Sequence, residues 1–143
     1  MARLHPQFSI AQDLWEALAH GDAVQLRAVL SPKVQLRIYG GGALGGTFIG
    51  VDAVLDVLAS LGDLTDELRS DLLDIFANDR GAVLRTRLEA RRGSQELRVE
   101  QLVVLVIEDD RVVQMTSVTS DQEQSNRFWK AAPSRDGDAP RLD

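Results

Sequence analysis

The sequence predicts an α+β domain in which three N-terminal helices pack inside a curved, mostly antiparallel sheet, with a short helix at the C-terminus. Two observations carry this prediction. Apolar residues recur at helical spacing in three segments up to Gly62, and four later segments read as strands separated by turn clusters. Both sets of apolar faces are buried only if the sheet wraps around the helices, which leaves a cone with an apolar pocket.

The first helix has the clearest apolar stripe. Ser9 and Gln12 have the spacing of a capping box, although Pro6 would start the helix one turn earlier. Gly21 suits the C-terminal end. The stripe consists of Phe8, Ala11, Trp15 and Leu18.

Two shorter helical segments follow. Asp22 can cap a helix that Pro32 ends, because proline cannot continue a helix. The third helix follows Gly50 and closes at Gly62. Its apolar stripe is Val51, Val54, Leu55, Leu58 and Leu61.

The remaining elements are predicted as strands. Residues 34–39 alternate, and a glycine-rich bend then leads to Thr47 and Phe48, which indicates a short hairpin. An antiparallel meander is predicted over residues 68–77, 82–90, 96–107 and 111–120, followed by a last helix over 121–130. We expect one domain over residues 1–130 and a flexible tail over 131–143, which has almost nothing to bury.

Composition limits the function classes. The chain has 143 residues, 44% of them apolar, and 16 basic against 22 acidic residues give a net charge of −6. Since no stretch gathers the basic residues, nucleic acid is not an expected partner. The chain shows no apolar run long enough for a membrane helix and no signal pattern, so we predict a cytoplasmic protein without membrane contact. The absence of cysteine excludes disulfides and thiol catalysis.

Few side chains have the character of a base or a metal ligand. His5 lies in the N-terminal segment, and His20 lies in the last turn of the first helix, where an imidazolium suits the helix dipole. Asp71 and Asp74 lie three apart on a strand and are predicted to face opposite ways, which argues against a carboxylate pair. We therefore predict no metal and no cofactor, and the sequence identifies no catalytic residue.

Several short motifs, in their order and spacing, resemble one family. The motifs are Trp15-Glu16-Ala17-Leu18 with Gly21-Asp22, residues 44–50 leading into Asp52-Ala53-Val54, and Asp121 with Phe128-Trp129. Over about residues 8–130 the chain is similar to the SnoaL-like polyketide cyclase branch of the superfamily of nuclear transport factor 2 (NTF2) and ketosteroid isomerase. The resemblance implies a cone-shaped NTF2-like fold, which hosts isomerases, cyclases, hydrolases, dehydratases and proteins without catalysis.

The resemblance also shows which isomerase groups this sequence lacks. The isomerase has a carboxylate base on its first strand, where residues 36–39 of this chain contain no acid, and Leu14 takes the place of its donor tyrosine. The acid on the long strand corresponds to Gln101, whose amide can still donate a hydrogen bond. SnoaL-like sequences tend to have a histidine near Arg37, with Tyr39 two residues later.

The expected pocket residues are therefore Gln101, Arg37, Tyr39, Trp15, Met115 and Ser117. Met115 and Ser117 match pocket positions of the isomerase branch, and Trp15 is expected to close the floor. Simpler interpretations stay open: Gln101 can bond the backbone or a partner subunit, Arg37 can face solvent, and Met115 and Trp15 can be ordinary core residues.

Three functions fit the sequence. The first is binding of a small hydrophobic molecule, polycyclic or acyl, oriented by Gln101 and Arg37. The second is an isomerase or cyclase that works by oxyanion stabilisation, and the third is a structural or partner-binding dimer. An epoxide hydrolase of the limonene type is disfavoured because its arginine between two aspartates has no counterpart. In each case we expect a homodimer through the outer sheet face, where Leu102, Val104 and Val106 need cover.

Overall fold

A computed structural model describes residues 5–40 and 44–130. The predicted tail, residues 131–143, lies outside the described residues. The elements are α1 (Pro6–His20), α2 (Ala23–Val29), β1 (Leu30–Ile38), β2 (Gly46–Ile49), α3 (Val51–Asp63), β3 (Glu67–Asn78), β4 (Gly81–Arg92), β5 (Gln95–Glu108), β6 (Arg111–Thr119) and α4 (Gln122–Lys130).

The strands form one six-stranded mixed sheet in the order β2-β1-β6-β5-β4-β3. Strands β3 to β6 make the predicted antiparallel meander, while β1 pairs antiparallel with β2 and parallel with β6. The α+β prediction with a mostly antiparallel sheet is confirmed.

The helices lie on one face of the sheet, here called the inner face; the opposite one is the outer face. Helix α1 packs against β3 and β4, and α3 packs against β1. Of the helices in the described part of the chain, none is long and apolar enough to cross a membrane. The largest fully buried apolar side chains are Leu14, Leu30, Leu84, Leu97, Val34, Val54 and Val112.

The start of α1 is determined by Pro6 and not by the capping-box spacing of Ser9 and Gln12. The helix begins at Pro6, and the Nδ1 atom of His5 accepts a hydrogen bond from the backbone N–H of Gln7 at 3.2 Å. Ser9 therefore lies inside the helix, since proline is already suited to the first helical position. Gly21, with φ of 61°, ends the helix as predicted and donates to the last-turn carbonyls.

Strand β1 starts earlier than its alternation suggested. It begins at Leu30 directly after α2, so Pro32 lies within the strand instead of merely ending the helix. The register between β1 and β6 shifts between Leu30 and Gln35. Proline has no N–H to donate to a ladder, and it is tolerated where such an irregularity interrupts the pairing.

Candidate functional site

A cavity of about 480 Å³ lies between the helices and the inner face of the sheet. Its wall is mostly apolar. Both tryptophans of the chain, Trp15 and Trp129, contribute to it. Other apolar lining residues include Leu18, Leu55 and Leu58 from the helices and Leu84, Val103 and Met115 from the sheet.

Five of the six residues predicted from the sequence line this cavity, namely Gln101, Tyr39, Trp15, Met115 and Ser117. Their elements explain the convergence. Residue 101 of β5 and residues 115 and 117 of β6 have the parity of the inner face, and residue 15 belongs to the apolar stripe of α1.

The sixth residue, Arg37, lies on the outer face and does not line the cavity. Its strand neighbours Leu36 and Ile38 line it instead, so strict alternation turns the guanidinium away. Arg37 lies 5.6 Å from the ring centroid of Tyr39, and its Nη1 lies 3.5 Å from the Tyr39 hydroxyl. Tyr39 follows the end of β1 and is 49% exposed, at the border of the cavity.

Three polar residues face the cavity side by side. Thr86 of β4 pairs with Gln101 of β5, which pairs in turn with Thr119 of β6, and all three line the cavity. We call Thr86, Gln101 and Thr119 the polar row. Thr86 is 3% exposed, and within the described residues the side chains of Thr86 and Gln101 have no hydrogen-bond partner. Neither belongs to the fully buried polar atoms that lack a partner, so their polar atoms are accessible where they line the cavity and are available to a bound molecule.

Sequence reasoning missed Thr86. A threonine within an alternating strand is ordinary, because β-branched residues favour strands. A signal was nevertheless present, since Thr86 shares the parity of Leu84 and Leu88 and thus of the buried face. Only the register of β4 with β5 shows that it lies next to Gln101.

No charged side chain reaches the cavity from the described residues. The lining residues include no carboxylate, imidazole, guanidinium or ammonium group, and their polar side chains are hydroxyls and amides. The hydroxyls come from Tyr39, Ser70, Thr86, Ser117, Thr119 and Ser125, and the amides from Gln101 and Asn126. Such a set offers hydrogen bonds in both directions without a formal charge.

The predicted opposite orientation of Asp71 and Asp74 is wrong. The register of β3 with β4 shifts between Leu72 and Asp74, so the two aspartates lie opposite Arg87 and Arg85. An extra residue in one strand reverses the parity that follows it. Both carboxylates therefore lie on the outer face, away from the cavity.

The histidines hold the ends of α1. The Nε2 atom of His5 lies 2.8 Å from Oδ1 of Asp79, and Nδ1 of His20 lies 2.8 Å from the carbonyl oxygen of Glu16. Neither histidine lines the cavity. Across residues 5–40 and 44–130, no three acidic or histidine side chains cluster closely enough to hold a metal ion.

Helix α4 supplies one wall of the cavity through Ser125, Asn126 and Trp129. Arg92 fixes its position. The guanidinium lies 4.4 Å from the ring centroid of Phe128 and donates hydrogen bonds to the carbonyl oxygens of Phe128 and Leu64. One side chain therefore ties the wall helix to the end of α3.

The outer face has an exposed apolar strip. Phe76, Leu102 and Val104 are 53%, 40% and 39% exposed. An ion pair between Arg85 and Glu100, at 2.9 Å, lies beside the strip.

Comparison with known sequences gives one family. A family model described as a SnoaL-like domain matches residues 11–115. An uncharacterised protein of Mycobacterium tuberculosis (strain H37Rv) is 28% identical over 115 residues, which is 79% of this chain and 88% of that protein.

Solved structures share the fold. An NTF2-like protein of unknown function from Burkholderia pseudomallei has a TM-score of 0.78 and 19% identity, covering 90% of this chain and 100% of that one. TerC, co-crystallised with polyporic acid, has a TM-score of 0.72 and 14% identity, covering 81% of this chain and 92% of that one. At these identities the likeness shows the fold alone, and the predicted NTF2-like fold is confirmed.

Proposed function

The chain belongs to the SnoaL-like family, and we propose that it binds a small hydrophobic molecule, polycyclic or acyl, in the cavity between the helices and the sheet. In this proposal the protein works without the carboxylate base of the isomerases. The main support for this proposal is the chemistry of the cavity lining. The lining is largely apolar, with a few hydroxyl and amide groups, and the described lining residues include no charged side chain.

The size of the cavity supports this ligand class. A volume of about 480 Å³ lies within the range of roughly 300–1,000 Å³ usual for small-molecule sites. TerC, which shares the fold, was co-crystallised with polyporic acid. This supports an organic molecule as the ligand class of the present chain.

Native mass spectrometry of the purified protein tests the proposal. The intact and denatured masses are compared, and the apo protein is then titrated with anthracene, a rigid apolar probe. Binding is read from the fluorescence of Trp15 and Trp129, which are the two tryptophans of the chain and both line the cavity. We expect either extra mass that is lost on denaturation or saturable binding of the probe.

A matched pair of variants locates the binding. Ser117→Phe should occupy part of the cavity and weaken retention or binding at least about tenfold, since steric overlap removes contacts that hold the ligand. Val24→Phe adds a ring at a position of α2 that is 81% exposed and outside the cavity lining, and it should leave binding unchanged. A protein that retains nothing and binds no anthracene, or equal effects of the two variants, would contradict the proposal.

A second function, an isomerase or cyclase that works by oxyanion stabilisation, is favoured by the adjacency of Thr86 and Gln101. Two neutral donors side by side can stabilise a developing oxyanion, and the cavity can hold a reactive conformer. Turnover of an aromatic polyketide-type ester, measured for the wild type and Gln101→Leu, tests it. A loss of kcat with KM unchanged supports this function, and absence of turnover excludes it for that substrate.

We further propose that the protein works in the cytoplasm as a homodimer assembled through the outer sheet face, without nucleic acid or membrane contacts. The net charge of −6 without a basic stripe supports the absence of nucleic acid, and the exposed strip at Leu102 and Val104 supports the dimer.

A further inference from the structure

The geometry points to a ligand that is uncharged: we infer that the polar row recognises a neutral oxygen function, such as an alcohol or a ketone, and that the cavity rejects the corresponding carboxylate. The inference rests on the proposed binding function and adds a rule of ligand selection to it.

The rejection of charge follows from the lining. Transfer of an ionised carboxylate into an apolar site is strongly unfavourable unless a cation or several hydrogen-bond donors compensate it. The described lining residues include no cation. The guanidinium groups nearest to the row along β4 belong to Arg85 and Arg87, which flank Thr86 and have the parity of the outer face; Arg85 pairs with Glu100 at 2.9 Å, and Arg87 lies opposite Asp71 of β3. A ligand anion in the cavity would therefore have no counter-charge.

The recognition of a neutral oxygen follows from the side chains of the row. Directly opposed residues on paired strands have Cβ atoms about 4.5–5.5 Å apart, so Thr86 and Gln101 can reach the same ligand oxygen. A threonine hydroxyl and a glutamine amide each donate and accept hydrogen bonds. They suit a ketone, which only accepts, and an alcohol, which does both.

The remaining member of the row, Thr119, has one long hydrogen bond to the backbone and keeps its own O–H donor. Oγ1 of Thr119 accepts a hydrogen bond from the backbone N–H of Asp121 at 3.4 Å. Thr86 and Gln101, which have no partner among the described residues, are therefore the main recognition groups, and the Thr119 hydroxyl can add a donor.

The test compares three probes with one ring system: anthracene, 9-anthracenemethanol and anthracene-9-carboxylate. Each is titrated into the purified full-length protein at neutral pH, and energy transfer from Trp15 and Trp129 reports binding at the cavity. We expect the alcohol to bind at least about tenfold more tightly than the carboxylate, because only the latter leaves an unpaired charge.

Variants assign the preference to the row. Thr86→Val and Gln101→Leu should each reduce alcohol affinity by about fivefold to tenfold while leaving anthracene affinity unchanged, since a lost neutral hydrogen bond has an effect of that size. Thr116→Val makes the same change on the outer face and should alter neither. Gln101→Lys should shift the preference toward the carboxylate by supplying the missing cation.

The outcomes distinguish failure of the charge selection from failure of the proposed hydrophobic binding site. If anthracene binds and the carboxylate binds as tightly as the alcohol, the selection rule is wrong and the hydrophobic site stands. If the alcohol preference survives Thr86→Val and Gln101→Leu, both folded by circular dichroism, the assignment to the row is overturned. If none of the three probes binds, the proposed function itself fails for polycyclic ligands.

Discussion

Gly81 opens β4 at a point where the backbone of β5 leaves no room for a side chain. A Cβ built there would lie 1.8 Å from the carbonyl oxygen of Leu105. We expect Gly81→Ala to lower the free energy of unfolding by about 1–3 kcal/mol or more, because backbone must move to relieve the overlap. Urea denaturation measures this.

Gly62 is the matched control for Gly81. A Cβ at Gly62, within α3, meets nothing within 4 Å. Gly62→Ala should stabilise the protein by up to about 1 kcal/mol, because alanine is the better helix former. Equal free energies of unfolding for the two variants would show that the close approach at Gly81 is not rigid.

The sequence predicts single residues well where parity alone decides their position. Gln101 and Ser117 were expected in the pocket from the family resemblance, the parity of their strands agrees with this, and both line the cavity. Alternation also offered the solvent side for Arg37, since Leu36 and Ile38 share the other face. Thr86 was not identified, because its importance depends on the register of two strands and not on its own strand.

Asp121, just before α4, makes the stability of that element depend on pH. Its Oδ1 accepts a hydrogen bond from the backbone N–H of Gln124 at 2.9 Å. This bond, helped by the Gln124 side chain, lowers the pKa of the Asp121 carboxyl. A carboxyl with a lowered folded-state pKa stabilises the fold above its unfolded pKa and loses that contribution as pH falls through the folded value.

We therefore expect Asp121→Ala to destabilise the protein at neutral pH by an amount that is constant down to about pH 5 and shrinks below about pH 4. Asp121→Asn keeps an oxygen that can accept the hydrogen bond from Gln124, so it should lower the free energy of unfolding less than Asp121→Ala does. The difference between the asparagine and alanine variants should not depend on pH. Urea titrations at several pH values measure both. If the difference in free energy of unfolding between the wild type and Asp121→Ala grows on acidification, the stabilising role of the Asp121 carboxylate at the start of α4 is contradicted.

Arg92 is expected to hold α4 against the cavity. Arg92→Ala leaves the carbonyl oxygens of Phe128 and Leu64 without this donor and removes the contact with the Phe128 ring. We expect a loss of about 1–3 kcal/mol in the free energy of unfolding and faster hydrogen exchange in residues 122–130. Acrylamide should also quench Trp129 more strongly.

Arg98→Ala is the control for Arg92. The Arg98 side chain is 73% exposed on the outer face, and its Nε lies 3.8 Å from Glu89. Exposed pairs of this kind contribute little, so the control should change stability by less than about 1 kcal/mol. If fast hydrogen exchange stays confined to the ends of α4 in both Arg92→Ala and Arg98→Ala, Arg92 does not stabilise the position of the helix.

The order and type of the elements were predictable from periodicity, but irregular pairings were not. The β1 strand begins at Leu30 and includes Pro32, and a register shift in β3 turns Asp74 to the same face as Asp71. Both features arise from pairing with a neighbouring strand. Local propensity contains no information about such a neighbour, which is why alternation alone misplaced them.

At the scale of the whole molecule, both faces of the sheet have apolar residues, but only those of the inner face are covered by helices. On the inner face Leu84 is fully buried against the helices, whereas on the outer face Leu102 and Val104 stay about 40% exposed. Exposed apolar strips rimmed by charge are typical of interaction surfaces. A second copy of the chain suits this one, because Arg85 and Glu100 beside the strip present both charges to a two-fold partner.

Leu102→Lys tests this assembly. Two lysines brought together across a two-fold axis would repel and lose apolar contact, so we expect the variant to be monomeric at concentrations where the wild type is dimeric. Sedimentation velocity over a hundredfold range of concentration measures the masses. Val24→Lys changes an apolar side chain that is 81% exposed on α2, away from the sheet, and should leave the dimer intact. A monomeric wild type would remove the dimer from the proposal, and dissociation by Val24→Lys alone would move the contact from the outer face to the helices.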